Sequence, residues 1–172
     1  MAVSYVSREQ IQVHRFNPAV TVGVPLAALV LQAFIPVRLH WFSIFDLPLL
    51  VTIFFAVSRR NPIGGLATGC IIGLLQDSLT HNPLGLYGIA KTVVGFAASS
   101  LGVKIDVDNP GSRLLVTFGF YLVHQFIYLF VVHGLVGQDL DWRWSHLLLA
   151  AFFNAALAVV LFFGLDRLKQ TG

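Results

Sequence analysis

What this chain has little of narrows its chemistry first. One residue of its 172 is cysteine, Cys70, so an intrachain disulfide or a thiolate cluster has no second member, and thiol redox chemistry is not expected. Only 11% of the residues are charged, eight of them acidic, and no HExxH, no GxSxG and no pair of acids inside one apolar run occurs. A metal site needs three or four ligands and a hydrolytic site needs a nucleophile with its base; neither set is present, so no cofactor, metal or reaction is expected. A cleavable leader is not expected either. The polar residues 1–18, with Arg8, Glu9 and Arg15, precede the first apolar run, so the first helix is expected to stay as an anchor behind a cytoplasmic N-terminal segment. No internal repeat or low-complexity tract stands out, which leaves inverted-repeat transport without support.

What the chain does have is apolar length. At 56% hydrophobic residues and a mean hydropathy of +0.79, it reads as one integral membrane domain, all-α, with no room for a soluble unit. Each span takes roughly 20 residues. Spans are expected near 20–35, 41–57, 63–79, 86–103, 114–136 and 146–165, six in a compact bundle joined by short loops, with a five-span version left open. The second is the weakest, because Asp46 and Pro48 sit in its first turns; it is expected to be short, tilted or interfacial. A pI near 9.4 does not indicate nucleic acid, since the basic residues are scattered near helix ends. Arg8, Arg15, Arg59, Arg60, Lys104, Arg113, Arg167 and Lys169 fall on one side against Arg38 and Arg143 on the other, which puts both termini in the cytoplasm. Trp41, Trp142 and Trp144 then fall at the outer interface.

The densest pattern lies in residues 64–85. Gly65, Gly69 and Gly73 recur at four-residue spacing, Asp77 continues their row, and Pro83-Leu84-Gly85 closes the following turn. Positions four apart share a helix face, so the row is a shallow groove that ends in an acid. Two readings stay open, a packing seam with an interfacial acid and a specific functional contact. Gly88, Thr92, Gly95, Ser99 and Gly102 form a second row of small residues facing it, read as packing. Lys91 lies within the fourth span, where a charge is costly and seeks a partner; Asp77 is the expected one, with snorkelling to the interface the alternative. In the fifth span Tyr121, His124, Gln125 and Tyr128 share a face, and Asn154 sits midway along the sixth. They line a cavity or simply bond helices together.

In order and spacing, Asp46-Leu47-Pro48, Arg59-Arg60-Asn61-Pro62, Gly64-Gly65, Gly69, Gly73-Leu74-Leu75-Gln76-Asp77 and Pro83-Leu84-Gly85 resemble the rod shape-determining MreD family. The resemblance covers about residues 44–102; the remainder rests on hydropathy. It implies a multi-pass protein of the bacterial inner membrane, a scaffold or regulator of the elongation machinery that builds peptidoglycan. It also implies the partners: an MreC-like bitopic protein, a RodA-type glycan polymerase with a class B penicillin-binding protein, indirectly an MreB-like filament, and membrane lipid. The implied fold is similar to the substrate-binding component of energy-coupling-factor transporters. Asp77, Pro83, Leu84 and Gly85 match the family motif, whereas His81-Asn82 and Lys91 depart from it.

Three functions compete on these residues. The leading expectation is a non-enzymatic scaffold whose interface comprises Gly65, Gly69, Gly73, Asp77, Pro83, Leu84, Gly85 and Lys91. Its rival is a small-solute or vitamin-binding transport component with a pocket on the fifth-span polar face beside Asn154. An intramembrane enzyme acting on lipid lacks the convergent acids it needs.

Overall fold

In the computed structural model, residues 15–102, 109–137 and 143–170 are described. Arg8, Lys104, Trp142 and residues 1–14 of the N-terminal segment lie outside the described residues, as does the side chain of Arg15. Helix starts follow a local rule. Asn17-Pro18, Asn61-Pro62 and Asn109-Pro110 begin α1 (Pro18–Arg38), α3 (Pro62–Thr80) and α5 (Pro110–Val131). Each asparagine side chain accepts a first-turn N–H, from Ala19 at 3.0 Å, Gly64 at 3.1 Å and Gly111 at 2.9 Å. The proline behind it has no N–H that needs a partner. Asp46 does the same for α2 (Leu47–Arg59), accepting from the Leu49 N–H at 3.0 Å. The other helices are α4 (Leu86–Gly102) and α6 (Trp144–Asp166). A 3-10 turn, His40–Ile44, precedes α2, and a π-helical turn, Val132–Val136, prolongs α5.

The architecture is an all-α bundle. Among the described residues, five helices are long and apolar enough to cross a membrane: α1, α2 with its leading turn, α3, α5 with its trailing turn, and α6. The sixth, α4, has 17 residues, about 25 Å at 1.5 Å per residue, and packs against α3, α2 and α5. β1 (Arg15–Phe16) and β2 (Lys169–Gln170) pair antiparallel, Phe16 opposite Lys169, so the segments that lead into α1 and out of α6 meet at one end of the bundle.

Helix α2 is short, as expected, and lies at the centre of the bundle. It has 13 residues; every residue from 48 to 58 is buried and α1, α3, α4, α5 and α6 surround it. Leu49, Leu50, Ile53, Phe54 and Phe55 form the middle of the main apolar cluster. Asp46, at its start, is buried among these helices. Helix α6 turns a row of small residues inward, Ala150, Ala151, Ala155 and Ala158 around Asn154, and presents Leu149, Phe152, Val160 and Phe163 outward. Small side chains let helices approach where lipid gives no hydrophobic drive for association.

The closest approach is between α3 and α4, which run antiparallel. A methyl group built on Gly65 would fall on the Gly95 carbonyl oxygen and the Ser99 hydroxyl; one on Gly69 would fall on the Lys91 carbonyl; one on Gly73 would fall on the Tyr87 carbonyl, with the Gly88 Cα at 2.7 Å. Each four-residue step on α3 is therefore matched by one on α4, backbone against backbone. The row's groove is filled by α4 of the same chain. At the far end, Gly102 meets α2 instead, with the Val57 carbonyl oxygen 2.8 Å from a built Cβ.

The atoms that a side chain at Gly69 would strike are backbone, so the two helices must separate to admit one. Gly69→Ala is expected to lower stability by ~1–3 kcal/mol, read from thermal unfolding in detergent micelles. Gly119, where nothing lies within 4 Å of a built Cβ, is the control: Gly119→Ala should be neutral or slightly stabilising, since alanine is the better helix former. Equal effects at both positions would rule out steric closeness as the reason for the row.

Candidate functional site

The polar interior centres on one carboxylate. Asp46, at the start of α2, accepts a hydrogen bond from the ammonium of Lys91 on α4 at 2.6 Å through Oδ2, while its Oδ1 caps α2. Its backbone N–H donates to Oδ1 of Asn154 on α6 at 2.9 Å, and the Asn154 amide donates in turn to the carbonyls of Ile44 and Ala150, both at 2.8 Å. From α1, Gln32 brackets the same segment: its amide donates to the Phe45 carbonyl at 2.9 Å and its oxygen accepts from the Leu47 N–H at 3.1 Å. On α5, His124 Nε2 lies 3.3 Å from the Lys91 Nζ. An ammonium has no lone pair to offer, so Nε2 is assigned as acceptor and the ring proton to Nδ1; Nδ1 has no hydrogen-bond partner among the described residues. The Tyr87 ring stacks on His124 and Tyr128 and lies 4.9 Å from the ammonium. Lys91, His124 and Asn154 are 0% exposed. Helices α1, α2, α4, α5 and α6 thus meet around one ion pair.

Magnitudes decide what that pair does. Removing two charges from water costs several kcal/mol per ion. Their attraction at a few ångströms returns about 4 kcal/mol at an effective dielectric of 20, and each hydrogen bond to a charged group adds about 1.5–3 kcal/mol. The pair comes out near balance when intact, and losing one member leaves a buried charge uncompensated. It acts as a specification of which helices meet and in what register.

Asp77, expected to pair with Lys91, has another task. Its carboxylate accepts three backbone N–H groups at the start of α4: Gly85 at 2.9 Å, Tyr87 at 3.0 Å and Gly88 at 3.1 Å. A buried acid is thereby satisfied by donors a helix start leaves unpaired, in the polarity the helix dipole favours. The intervening turn is built for this. His81, at φ 55°, ends α3, and Gly85, at φ 106°, takes a conformation open to glycine; the Leu86 N–H donates to the Pro83 carbonyl at 3.4 Å. Leu84, 73% exposed, points away from the hairpin. Asp77 fails to reach Lys91 because it is already fully engaged by backbone.

Of the expected residues, Gly65, Gly69, Gly73, Asp77, Pro83 and Gly85 come together as the α3–α4 hairpin, while Lys91 faces the opposite way, toward Asp46. Asp46, Gln32 and Tyr87 were missed as members of the network. A helix-capping acid before Leu-Pro was a signal for Asp46; nothing local points to Gln32. The fifth-span face also divides. His124 and Asn154 belong to the ion-pair network, whereas Tyr121, Gln125 and Tyr128 line a space of about 460 Å³ shared with Arg143 and His146. Among the described residues no three His, Cys, Asp or Glu side chains gather as metal ligands.

Lys91→Met should strand the Asp46 carboxylate and cost about 3–5 kcal/mol. Adding Asp46→Asn should recover a large part of that loss, whereas Lys91→Met and Asp77→Asn should add independently. Unfolding midpoints of the singles and doubles measure both couplings; additivity at 46 and 91 would refute the pair.

Comparison with protein families matches the description "rod shape-determining protein MreD" over residues 14–171, well beyond the 44–102 stretch that carries the recognisable motifs. No curated protein and no solved structure gives a significant match. The matched segment contains all six helices and every residue of the ion-pair network and the α3–α4 hairpin. Together with helices apolar enough to cross a bilayer, the match makes this a multi-pass membrane protein, and the chain belongs to the MreD family of rod shape-determining proteins.

Proposed function

We propose that the protein serves the rod-shape machinery of a bacterial inner membrane as a non-enzymatic scaffold, with both termini cytoplasmic, and that it binds an MreC-like single-span partner along α1 and α3. The glycine rows are occupied by the chain's own hairpin, so a partner's helix needs another face. The supporting observation is a cleft between α1 and α3. Val22, Leu26, Val30 and Phe34 of α1 are exposed at four-residue spacing, and beside them a space of about 190 Å³ is bounded by Leu26, Leu29, Ile72 and Leu75, with Phe55 and Arg59 at its floor. Acyl chains cover a convex apolar stripe well; a concavity between two helices instead takes large side chains from a third. A RodA-type polymerase, a class B penicillin-binding protein and an MreB-like filament are then reached through that partner.

The scaffold reading also agrees with how the interior is used. Among the buried charged groups, Asp46 and Lys91 are bonded to each other, Asp77 to backbone and Arg113 to Asp166, which suits holding helices in place. The 460 Å³ space favours a second reading, a solute-binding transport component, because it is lined by groups that suit a polar ligand.

Affinity purification of the tagged protein from mildly solubilised native membranes tests both. An MreC-like single-span protein is the expected companion. Leu26→Trp or Leu75→Trp should reduce its recovery several-fold, while Val160→Trp, on the outward face of α6, should not. Recovery of a transport ATPase pair, with no single-span protein, would overturn the scaffold reading.

A further inference from the structure

The 460 Å³ space beside the start of α6 is not explained by helix packing, and its lining has a chemical bias. Arg143 brings five N–H donors and no acceptor, and His146 adds a second basic group one turn along. Tyr121 accepts a hydrogen bond from the Gln125 amide at 3.0 Å, which leaves its own phenolic proton free to donate. Tyr128 adds another hydroxyl. No carboxylate is among the described residues that line the space. Donors in excess and positive charge suit an anion with several acceptor oxygens.

The surroundings add a second property. Leu129 and Leu147 form apolar wall beside the donors, and Trp41 and Trp144, each 65% exposed, stand at the same end of the bundle. Exposed tryptophans favour the headgroup level of a bilayer. The size also discriminates: at ~30 Å³ per water molecule, the space is several times larger than an inorganic phosphate needs. From this geometry we infer that the space binds a phosphate ester, the headgroup of an anionic phospholipid, with Arg143 and His146 on the phosphate and the apolar wall along the first carbons of the lipid tail. The inference does not depend on the α1–α3 partner cleft, which lies on other helices.

Titration of the purified full chain in neutral detergent tests it, with dihexanoyl phosphatidylglycerol, dihexanoyl phosphatidylcholine and inorganic phosphate as separate probes and heat of binding as the readout. Phosphatidylglycerol is expected to bind more tightly than phosphatidylcholine. Arg143→Gln should weaken it about tenfold, the scale of one charge-assisted contact, and Arg143→Lys should restore part of the loss. Arg38→Gln, which removes a basic group outside the lining, should leave binding unchanged. Equal binding of the two lipids, or an Arg143→Gln variant that binds like the parent chain, would overturn the site. Binding of inorganic phosphate with the lipid excluded would keep the anion site and overturn the lipid as its source.

Discussion

A charged carboxylate in the interior of a membrane protein has no water to fall back on, and the whole arrangement of this bundle answers to that constraint at Asp46. Its carboxylate and its backbone must both be satisfied, and satisfying them draws Lys91 from α4 and Asn154 from α6 to one place. Gln32 from α1 secures the segment on either side. Apolar packing alone distinguishes poorly between alternative helix arrangements in lipid, because tails are as apolar as leucine. A hydrogen-bonded ion pair distinguishes sharply, since each misplaced partner leaves a charge bare. The apolar helix α2 can be central because its polar start is held by four other elements.

The α3–α4 hairpin solves a different problem by different means. Two backbones in direct contact gain dispersion over their whole length and need no side chains between them. The carboxylate of Asp77 then fixes their relative height by gripping the first turn of α4. Hydroxyls along both helices, at Thr68, Thr92 and Ser99, bond back to carbonyls four residues earlier, so they add no unsatisfied groups to the seam. The glycine row with Asp77 and Pro83-Leu84-Gly85 is, in physical terms, a hairpin stitched at its turn and zipped by glycine.

Much of this was legible before the structure. Hydropathy locates six helices, and the four-residue glycine spacing points to a close helical seam. Some local signals went further than the reading took them: Asn17-Pro18 and Asn109-Pro110 mark helix starts that apolar content alone places two and four residues late. Others were not local. Asp77 is nearer to Lys91 in sequence than Asp46 is, and proximity along the chain favours the wrong acid; only the backbone donors of Gly85, Tyr87 and Gly88, invisible as side chains, reveal that Asp77 is spoken for. The split of the fifth-span face, with His124 turned to the ion pair and Tyr121 and Gln125 to an open space, depends on rotation of α5 against α6, which no spacing encodes.

The ion pair joins positions 45 residues apart, and the Asp46–Asn154 bond joins positions 108 residues apart. Ribosomal synthesis therefore delivers the acid to the membrane well before either companion exists. The surroundings of the second helix are complete only once the sixth is made. Until α4 emerges, the Asp46 carboxylate lacks its charged partner, so burial of the start of α2 without a bare charge requires Lys91 to be in place.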